Sequence, residues 1–404
     1  MDRIALSLCS VLLCASYGMS AEALPRFAAR TGADCRLCHL SPSGGGMRSR
    51  YGSSVFQQLD LPLRLGGEAE EDGLASFSPQ LTEWLSLGAD VRTAYIYSAP
   101  ERSPVAGAPA DPTSSFLLMQ ADLYAAARLG PHFTVALDLG VYAGFEAWAL
   151  VKAAPGPSTF DLYLKVGRFM PPFGLRDPNH DLYTRAGIGL GSADRDTGVE
   201  LTGVAGPFTL AVALVNGTFG DLALDGHGSD HRSFEKALVS RVAARFGGES
   251  LHVQLGASSY WNDNVDKVNP LFKPGLPATT DPALGVEELR VGAFLLAGLG
   301  RLSYTGELVY VTDVLSAQSG RLEGYAAAQE LGVQIVRGVE LLGTFEFADP
   351  DMALNDNATI RVGGAAEVFI GPYLEARVMA RHAFSKVAAT GDVTDILIFA
   401  HAAF

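Results

Sequence analysis

Apolar and polar positions alternate with a period of two through most of the chain after residue 81. In residues 85–97 the apolar members of the alternation include Leu85, Leu87 and Val91, and the polar members between them include Asp90 and Arg92. Successive side chains of a β-strand point to opposite faces, so this pattern predicts strands with one apolar and one polar face. No continuous apolar run of about 18 residues occurs here, which argues against a membrane-spanning helix.

Tight, mostly glycine-containing turns divide these strands into hairpins. The predicted turns lie at residues 130–131, 206–207, 247–248, 298–300, 337–338 and 371–372. Longer polar loops, such as residues 261–282 and 349–358, connect one hairpin to the next. Six hairpins give twelve strands, and the strand from Leu85, a closing strand and a pair between residues 159 and 188 raise the number to about sixteen.

The polar face of these strands carries charged side chains, and this distinguishes a transmembrane β-barrel from a soluble β-sandwich, in which strands also alternate. The charged positions are Asp90, Arg92, Asp122, Arg128, Asp138, Glu200, Arg241, Arg245, Glu307, Glu346, Arg361, Glu367, Glu375 and Arg377. An apolar outer face with a charged inner face suits lipid outside and a wet lumen inside, and short turns at one edge with long loops at the other are typical of outer-membrane barrels. The last strand ends on Phe404, which resembles the carboxy-terminal signal of such proteins. We therefore predict an all-β protein, an antiparallel transmembrane β-barrel of about 16 strands over residues 81–404.

The first eighty residues differ from the barrel in composition. Arg3, an apolar run over residues 4–14 and the small residues ending at Ala23 predict a signal peptide at residues 1–23. Residues 24–65 form a small segment of coil and short helix, and residues 66–80 form an acidic linker. The whole chain has 404 residues and a formal net charge of −14, which argues against a nucleic-acid partner.

Cys35, Cys38 and His39 form the C-x-x-C-H attachment motif for c-type haem. In such a motif the two thiols bind the porphyrin covalently and the adjacent imidazole is the proximal iron ligand. A disulfide, a thioredoxin-like pair and half of a zinc site are the alternatives, but zinc needs more ligands and the other two cysteines lie in the leader. We predict one covalent haem c.

The distal iron ligand has several candidates. Met47 is our first choice, because it follows closely across the glycine run at residues 44–46 and thioether ligation is common. His180, His252 and Met170 are the other candidates. Residues 48–59 have the spacing of a short amphipathic helix that packs on the haem or on its neighbours.

Two features of the long loops suggest weaker hypotheses. Acidic residues there could concentrate a cationic donor, although charge that keeps loops soluble is the simpler explanation. These residues are Asp221, Asp225, Asp230, Asp263, Asp266 and Asp281. His227 and His231 have a spacing that could bind a metal ion.

Two stretches carry a resemblance to a known family. Residues 27–32 (Phe-Ala-Ala-Arg-Thr-Gly) lead into the haem motif, and residues 167–175 (Gly-Arg-Phe-Met-Pro-Pro-Phe-Gly-Leu) look like a segment of phosphate-selective-type porins. With these residues the mature chain resembles the fused monohaem cytochrome c–porins of the bacterial outer membrane, whose characterised members are iron(II) oxidases.

The resemblance implies a function and an arrangement. Single electrons would pass across the outer membrane between an extracellular donor, iron(II) in characterised members, and a periplasmic cytochrome or other electron carrier. If the protein is an enzyme, it would be an iron(II):cytochrome c oxidoreductase. The haem segment would enter from the periplasmic end and plug the lumen. A solute-selective porin with a haem-bearing structural plug or sensor is the alternative, and a soluble periplasmic cytochrome with a β-sandwich is the third hypothesis.

Overall fold

A computed structural model describes most of the chain outside the leader, the linker and several loops. The described residues are 25–63, 78–102, 110–140, 144–153, 160–177, 179, 181–185, 188–191, 194–217, 236–248, 250–262, 286–315, 321–386 and 391–404. The predicted signal peptide, most of the predicted linker and the acidic positions singled out in the long loops lie outside the described residues.

In the described residues, sixteen antiparallel strands form a closed barrel in which each strand pairs with its neighbours in sequence. Strand β1 pairs with both β2 and β16, which closes the sheet and leaves no edge strand. The strands are β1 (Leu85–Pro100), β2 (Thr113–Leu129), β3 (Phe133–Gly140), β4 (Phe145–Lys152), β5 (Phe160–Phe169), β6 (Asp196–Ala205), β7 (Phe208–Val215), β8 (Ala237–Gly247), β9 (Leu251–Asn262), β10 (Val286–Leu299), β11 (Leu302–Leu315), β12 (Arg321–Val336), β13 (Val339–Asp349), β14 (Thr359–Gly371), β15 (Leu374–Ser385) and β16 (Val393–Ala403). The all-β class, the barrel and the strand number are confirmed.

Burial follows the period of two in the sequence. On β3, Leu137 and Leu139 are exposed whereas Asp138 between them is buried. On β13, Leu341 and Phe345 are exposed whereas Glu346 is buried. The apolar side chains therefore face outward and the charged ones face the barrel interior, as the alternation predicts.

All six predicted tight turns connect consecutive strands, and they lie at one edge of the barrel, which we call the short-turn edge. Strand β1 starts at this edge and β16 ends there, since Ala89 and Phe404 are joined by two backbone hydrogen bonds. The even strand number requires this arrangement, because an up-and-down barrel returns to its starting edge only after an even number of strands.

The predicted pair of strands between residues 159 and 188 is wrong in part. Strand β5 ends at Phe169, and its two partners are β4, which precedes it, and β6, which begins only at Asp196. Residues 170–195, which we call the inserted segment, contain no described strand. Pro171 and Pro172 cannot donate backbone hydrogen bonds to a ladder, and Gly174 has a left-handed φ of 54°, so the strand cannot continue.

The inserted segment reaches strands far from β5. The Gly174 N–H donates to Ser258 Oγ at 2.8 Å on β9, and the Leu175 N–H donates to Glu307 Oε1 at 3.1 Å on β11. Further along, Arg361 on β14 donates to the Asp181 carbonyl at 2.6 Å. Its aromatic and aliphatic side chains, such as Phe173, join a buried apolar cluster with residues of several strands.

The described part of residues 24–65 contains three short helices. They are α1 (Pro25–Thr31), α2 (Cys35–Cys38) and a π-helix (Gly52–Asp60). The last corresponds to the helix predicted over residues 48–59, with the wider π hydrogen-bond pattern in place of the α pattern. None of the described helices has the length and apolar character needed to cross a membrane.

Candidate functional site

Helix α1 is attached to three neighbouring strands through one arginine. Arg26 keeps 2% of its side chain exposed and forms ion pairs with Glu330 on β12 at 3.2 Å, with Glu340 on β13 at 3.0 Å and with Glu367 on β14. Arg30 also pairs with Glu340. Burial alone would lower the pKa of Arg26, but the three carboxylates raise it well above its usual range. The guanidinium therefore stays charged and holds α1 against this part of the barrel.

Packing supports the same contact. The Phe27 ring meets the Phe56 and Phe369 rings edge to face, with centroid distances of 5.4 and 5.8 Å. Gly298 on β10 lies so close to α1 that an added Cβ would overlap the Ala29 carbonyl. The sequence offered no direct signal for these contacts, because the partners are separated by hundreds of residues.

The C-x-x-C pair lies in one turn of helix. The Asp34 carboxylate caps α2 by accepting the Arg36 N–H at 2.9 Å, and the His39 N–H donates to the Cys35 carbonyl at 2.9 Å. Residues three apart share a helix face, so the thiols of Cys35 and Cys38 project to the same side. Both are free and half-buried.

Burial favours the protonated form of both thiols. Burial raises the pKa of Cys35, and burial raises the pKa of Cys38 to about 11. A thioredoxin-like site needs the opposite shift, because the thiolate is the nucleophile. The environment therefore does not favour the thioredoxin-like alternative.

Charged side chains of two strands bracket α2. Arg36 donates to Asp161 on β5 at 2.8 Å, and Arg245 on β8 pairs with Asp34 at 2.6 Å. Leu37 between the cysteines keeps 43% of its surface exposed. The motif is thus fixed in position while one of its side chains remains open to solvent.

His39 is 5% exposed, and its Nδ1 has no hydrogen-bond partner. Burial, with the nearby cations Arg48 and Arg176, lowers the pKa of His39 to about 3. The imidazole is therefore neutral, which is the form that binds metals. Two thiols on one helix face beside a neutral imidazole with an unpartnered nitrogen match the donor set of covalent haem c.

The segment after His39 folds back along the motif. The Leu40 N–H donates to the Met47 carbonyl at 3.1 Å, and the Ser49 N–H donates to the Cys38 carbonyl at 2.8 Å. The turn passes through three successive glycines with φ of 89°, 77° and 62°, a conformation that side chains other than glycine rarely adopt. A Cβ at Gly44 would lie 3.3 Å from the Cys35 Cβ, so the loop is in close contact with Cys35.

The loop also reaches deeper charged groups. Ser43 Oγ accepts from Lys165 Nζ at 3.3 Å on β5 and from Arg176 at 3.1 Å in the inserted segment. Lys165 in turn pairs with Glu200 on β6 at 2.7 Å. The residues around the C-x-x-C-H motif therefore contact both the strands and the inserted segment.

The other predicted ligands lie in different places. Met47 packs into the buried apolar cluster with Trp148, and Met170 is 2% exposed at the start of the inserted segment. His252, near the start of β9, lines a cavity of 270 Å³. His180, His227 and His231 lie outside the described residues. The described part of the chain holds no group of three or more metal-ligating side chains close together.

Comparisons with known proteins identify the fold alone. No family model matches the chain, and no curated protein matches it in sequence. Among solved structures, the anion-selective porin from Comamonas acidovorans has a TM-score of 0.55 and 12% identity, over 79% of this chain and 99% of its own. OprB of Pseudomonas putida has a TM-score of 0.54 and 11% identity, over 80% and 94%. The channel DcaP of Acinetobacter baumannii has a TM-score of 0.52 and 10% identity, over 79% and 97%. The chain thus has the 16-stranded barrel fold of outer-membrane porins.

Proposed function

We propose that this chain is an integral porin-type barrel of the bacterial outer membrane in which residues 24–65 lie within the lumen and control the passage of solutes. One haem c is attached to this segment, as a structural element or as a sensor. The observation that carries the proposal is the set of buried ion pairs of Arg26 with three strands of the barrel wall. A segment that only linked the leader to the barrel would not need such an attachment.

The burial of interior charges supports a closed lumen. In a water-filled pore, the charged side chains that face inward are accessible to water. Here six such side chains on five strands are at most 1% exposed. They are Asp90, Asp122, Lys165, Glu200, Glu288 and Arg290. Passage of a solute would therefore require the N-terminal segment, the inserted segment or both to move.

Cys35 and Cys38 would hold the haem through thioether bonds, and His39 would bind the iron on the proximal side. When bound, the haem supplies one-electron chemistry between ferric and ferrous iron. Asp34 and Arg36 fix the helix that carries the thiols, and the glycine turn at residues 44–46 allows the chain to pass close to it. Met47 as the distal ligand stays a prediction from the sequence.

A second function is favoured by the combination of a closed lumen with a partly open haem motif. A barrel that admits no solute can still pass electrons if a redox group lies within it, and Leu37 beside the attachment cysteines is 43% exposed. The protein would then be an electron conduit between an extracellular donor such as iron(II) and a periplasmic cytochrome or other carrier. Hydrocarbon about 30 Å thick separates these partners, which explains why such a conduit needs a barrel.

Current measurements in planar bilayers and redox measurements on proteoliposomes, both made with the same protein, separate the two functions. The full-length protein, exported by a host that attaches haem c, is first stained for covalent haem on a denaturing gel. A gated porin would show resolved openings in a planar bilayer, and these would become more frequent in Arg26→Ala. A conduit would show no openings, while its haem would be reduced rapidly by external iron(II). Absence of both signals from protein that shows heat-modifiable barrel migration would refute both functions.

A further inference from the structure

A cavity of 270 Å³ lies at the short-turn edge, between residues 28–33 of the N-terminal segment and the barrel wall formed by β8, β9 and β10. The segment contributes small residues to its lining: Ala28, Ala29, Gly32 and Ala33. The wall contributes larger side chains: Arg245, His252, Gln254 and Leu296. The volume lies just below the usual range for ligand pockets, roughly 300–1,000 Å³, so the cavity can receive a small molecule.

Three polar side chains of the wall converge on this cavity. Arg245 on β8 lies directly opposite Gln254 on β9, and His252 precedes Gln254 by two positions, so all three share the inward face. Each can donate a hydrogen bond through an N–H group. Within the residues that the structure describes, the side chains of His252 and Gln254 have no hydrogen-bond partner. Two of the three groups are thus available to a ligand.

The guanidinium of Arg245 also has donors to spare. It pairs with Asp34 at 2.6 Å, and a guanidinium has five N–H donors in all. Asp34 does not depend on this contact alone, because it accepts the Arg36 backbone N–H at 2.9 Å and the Arg36 side chain at 2.9 and 3.1 Å. None of the described lining residues is acidic. Arg245 can therefore bind a second carboxylate without leaving Asp34 unpaired.

The remaining part of the lining is apolar. Ala28, Ala29 and Leu296 belong to one apolar cluster between the segment and the wall. An inorganic anion gains nothing from such a surface, whereas the hydrocarbon part of an organic anion is stabilised by leaving water for it. The lining therefore suits a small molecule with a charged group at one end and an apolar body.

We propose that this cavity binds a small organic carboxylate, which accepts hydrogen bonds from Arg245, His252 and Gln254. Short turns of such barrels face the periplasm, so the ligand would enter from that side. The segment and the wall both line the site, so it is complete only while the segment is docked. A ligand that binds only the docked state stabilises it and keeps the lumen closed. Binding stands on the cavity alone, whereas the effect on solute passage rests on the gated porin proposed above.

Calorimetric titration of the exported full-length protein with benzoate tests the site. Benzamide has the same shape without the charge, and inorganic phosphate has charge without an apolar body, so both should bind at least about tenfold more weakly than benzoate. Arg245→Gln should weaken benzoate binding by a similar factor. Gln254→Leu should also weaken it, and this variant leaves the pair of Arg245 with Asp34 intact. Arg301→Ala, which removes an exposed arginine from the same edge, is the matched control and should bind as the wild type does.

Single-channel recording separates binding from its effect. Benzoate at about ten times its Kd should lower the open fraction of the wild type about tenfold and leave that of Arg245→Gln unchanged. Failure of millimolar benzoate to bind, or equal binding by Arg245→Gln and Gln254→Leu, would overturn the site. Equal binding of benzamide or of phosphate would overturn the ligand class. Benzoate that binds without lowering the open fraction would overturn the effect on closure, and protein without openings would refute the gated porin while calorimetry still decides the site.

Discussion

Replacing Arg26 with alanine should release the N-terminal segment from the barrel wall. The change leaves three carboxylates close together without their shared cation. Removal of one partner of a buried ion pair costs about 3–5 kcal/mol. Glu330 keeps 21% of its side chain exposed, so the lower end of this range applies. Because about 1.4 kcal/mol corresponds to a tenfold change in an equilibrium constant, the displaced population should rise at least 100-fold.

Thiol labelling of Cys35 measures this population. Protein lacking residues 1–23 and carrying Cys38→Ser is produced without haem, refolded into liposomes and exposed to a maleimide reagent. The half-buried Cys35 then reacts mainly when the segment opens, and the labelling rate follows the open fraction as long as closing is faster than labelling. Arg26→Ala should label about 100 times faster, in line with the cost of an unpaired buried charge.

Two further variants control for general destabilisation. Arg26→Lys retains the positive charge but cannot form the fork to several carboxylates, so an intermediate rate is expected. Arg301→Ala removes an exposed arginine from the same edge, whose guanidinium donates to the Ile335 carbonyl, and its rate should match the wild type. A labelling rate for Arg26→Ala within about threefold of the wild type would refute the view that these ion pairs hold the segment.

Three other expectations concern packing, pH and the cofactor. Gly298→Ala places a methyl group against the backbone of α1 and should speed Cys35 labelling at least tenfold, which corresponds to about 1.4 kcal/mol. Gly343→Ala has open space around the added methyl group and should leave the labelling rate unchanged. Burial raises the pKa of Asp194 to about 6, so the folded protein holds this proton more tightly than the unfolded chain does, and the wild type should lose roughly 1–2 kcal/mol of stability relative to Asp194→Asn as pH rises from 4 to 7. A difference in urea midpoint between the two proteins that stays the same across this pH range would contradict the prediction. Exported protein with both Cys35→Ala and Cys38→Ala should show no haem stain on a denaturing gel, and it should retain heat-modifiable migration because neither residue lies on a barrel strand. Haem that stays bound to this variant after denaturation would contradict thioether attachment.

The sequence was informative where the responsible signals are local. Alternation along each strand and the glycine turns predicted the hairpins of the barrel, since both depend on residues close in sequence. The pair at residues 159–188 was misassigned because residues 170–195 contain enough apolar side chains to resemble a strand. These side chains are buried by contact with strands far along the chain, and no local pattern reports that.

By itself, the sequence determined the all-β class, which face of each strand points outward and which points into the barrel, and the presence of a C-x-x-C-H motif. The tertiary structure decided which groups surround that motif. The partners of Arg26 lie more than 300 residues away, and His252 meets Gly32 across 220 residues. Such contacts depend on the register and closure of all sixteen strands, because these bring distant positions to one edge of the barrel. The alternation within a strand depends only on the side chains of that strand.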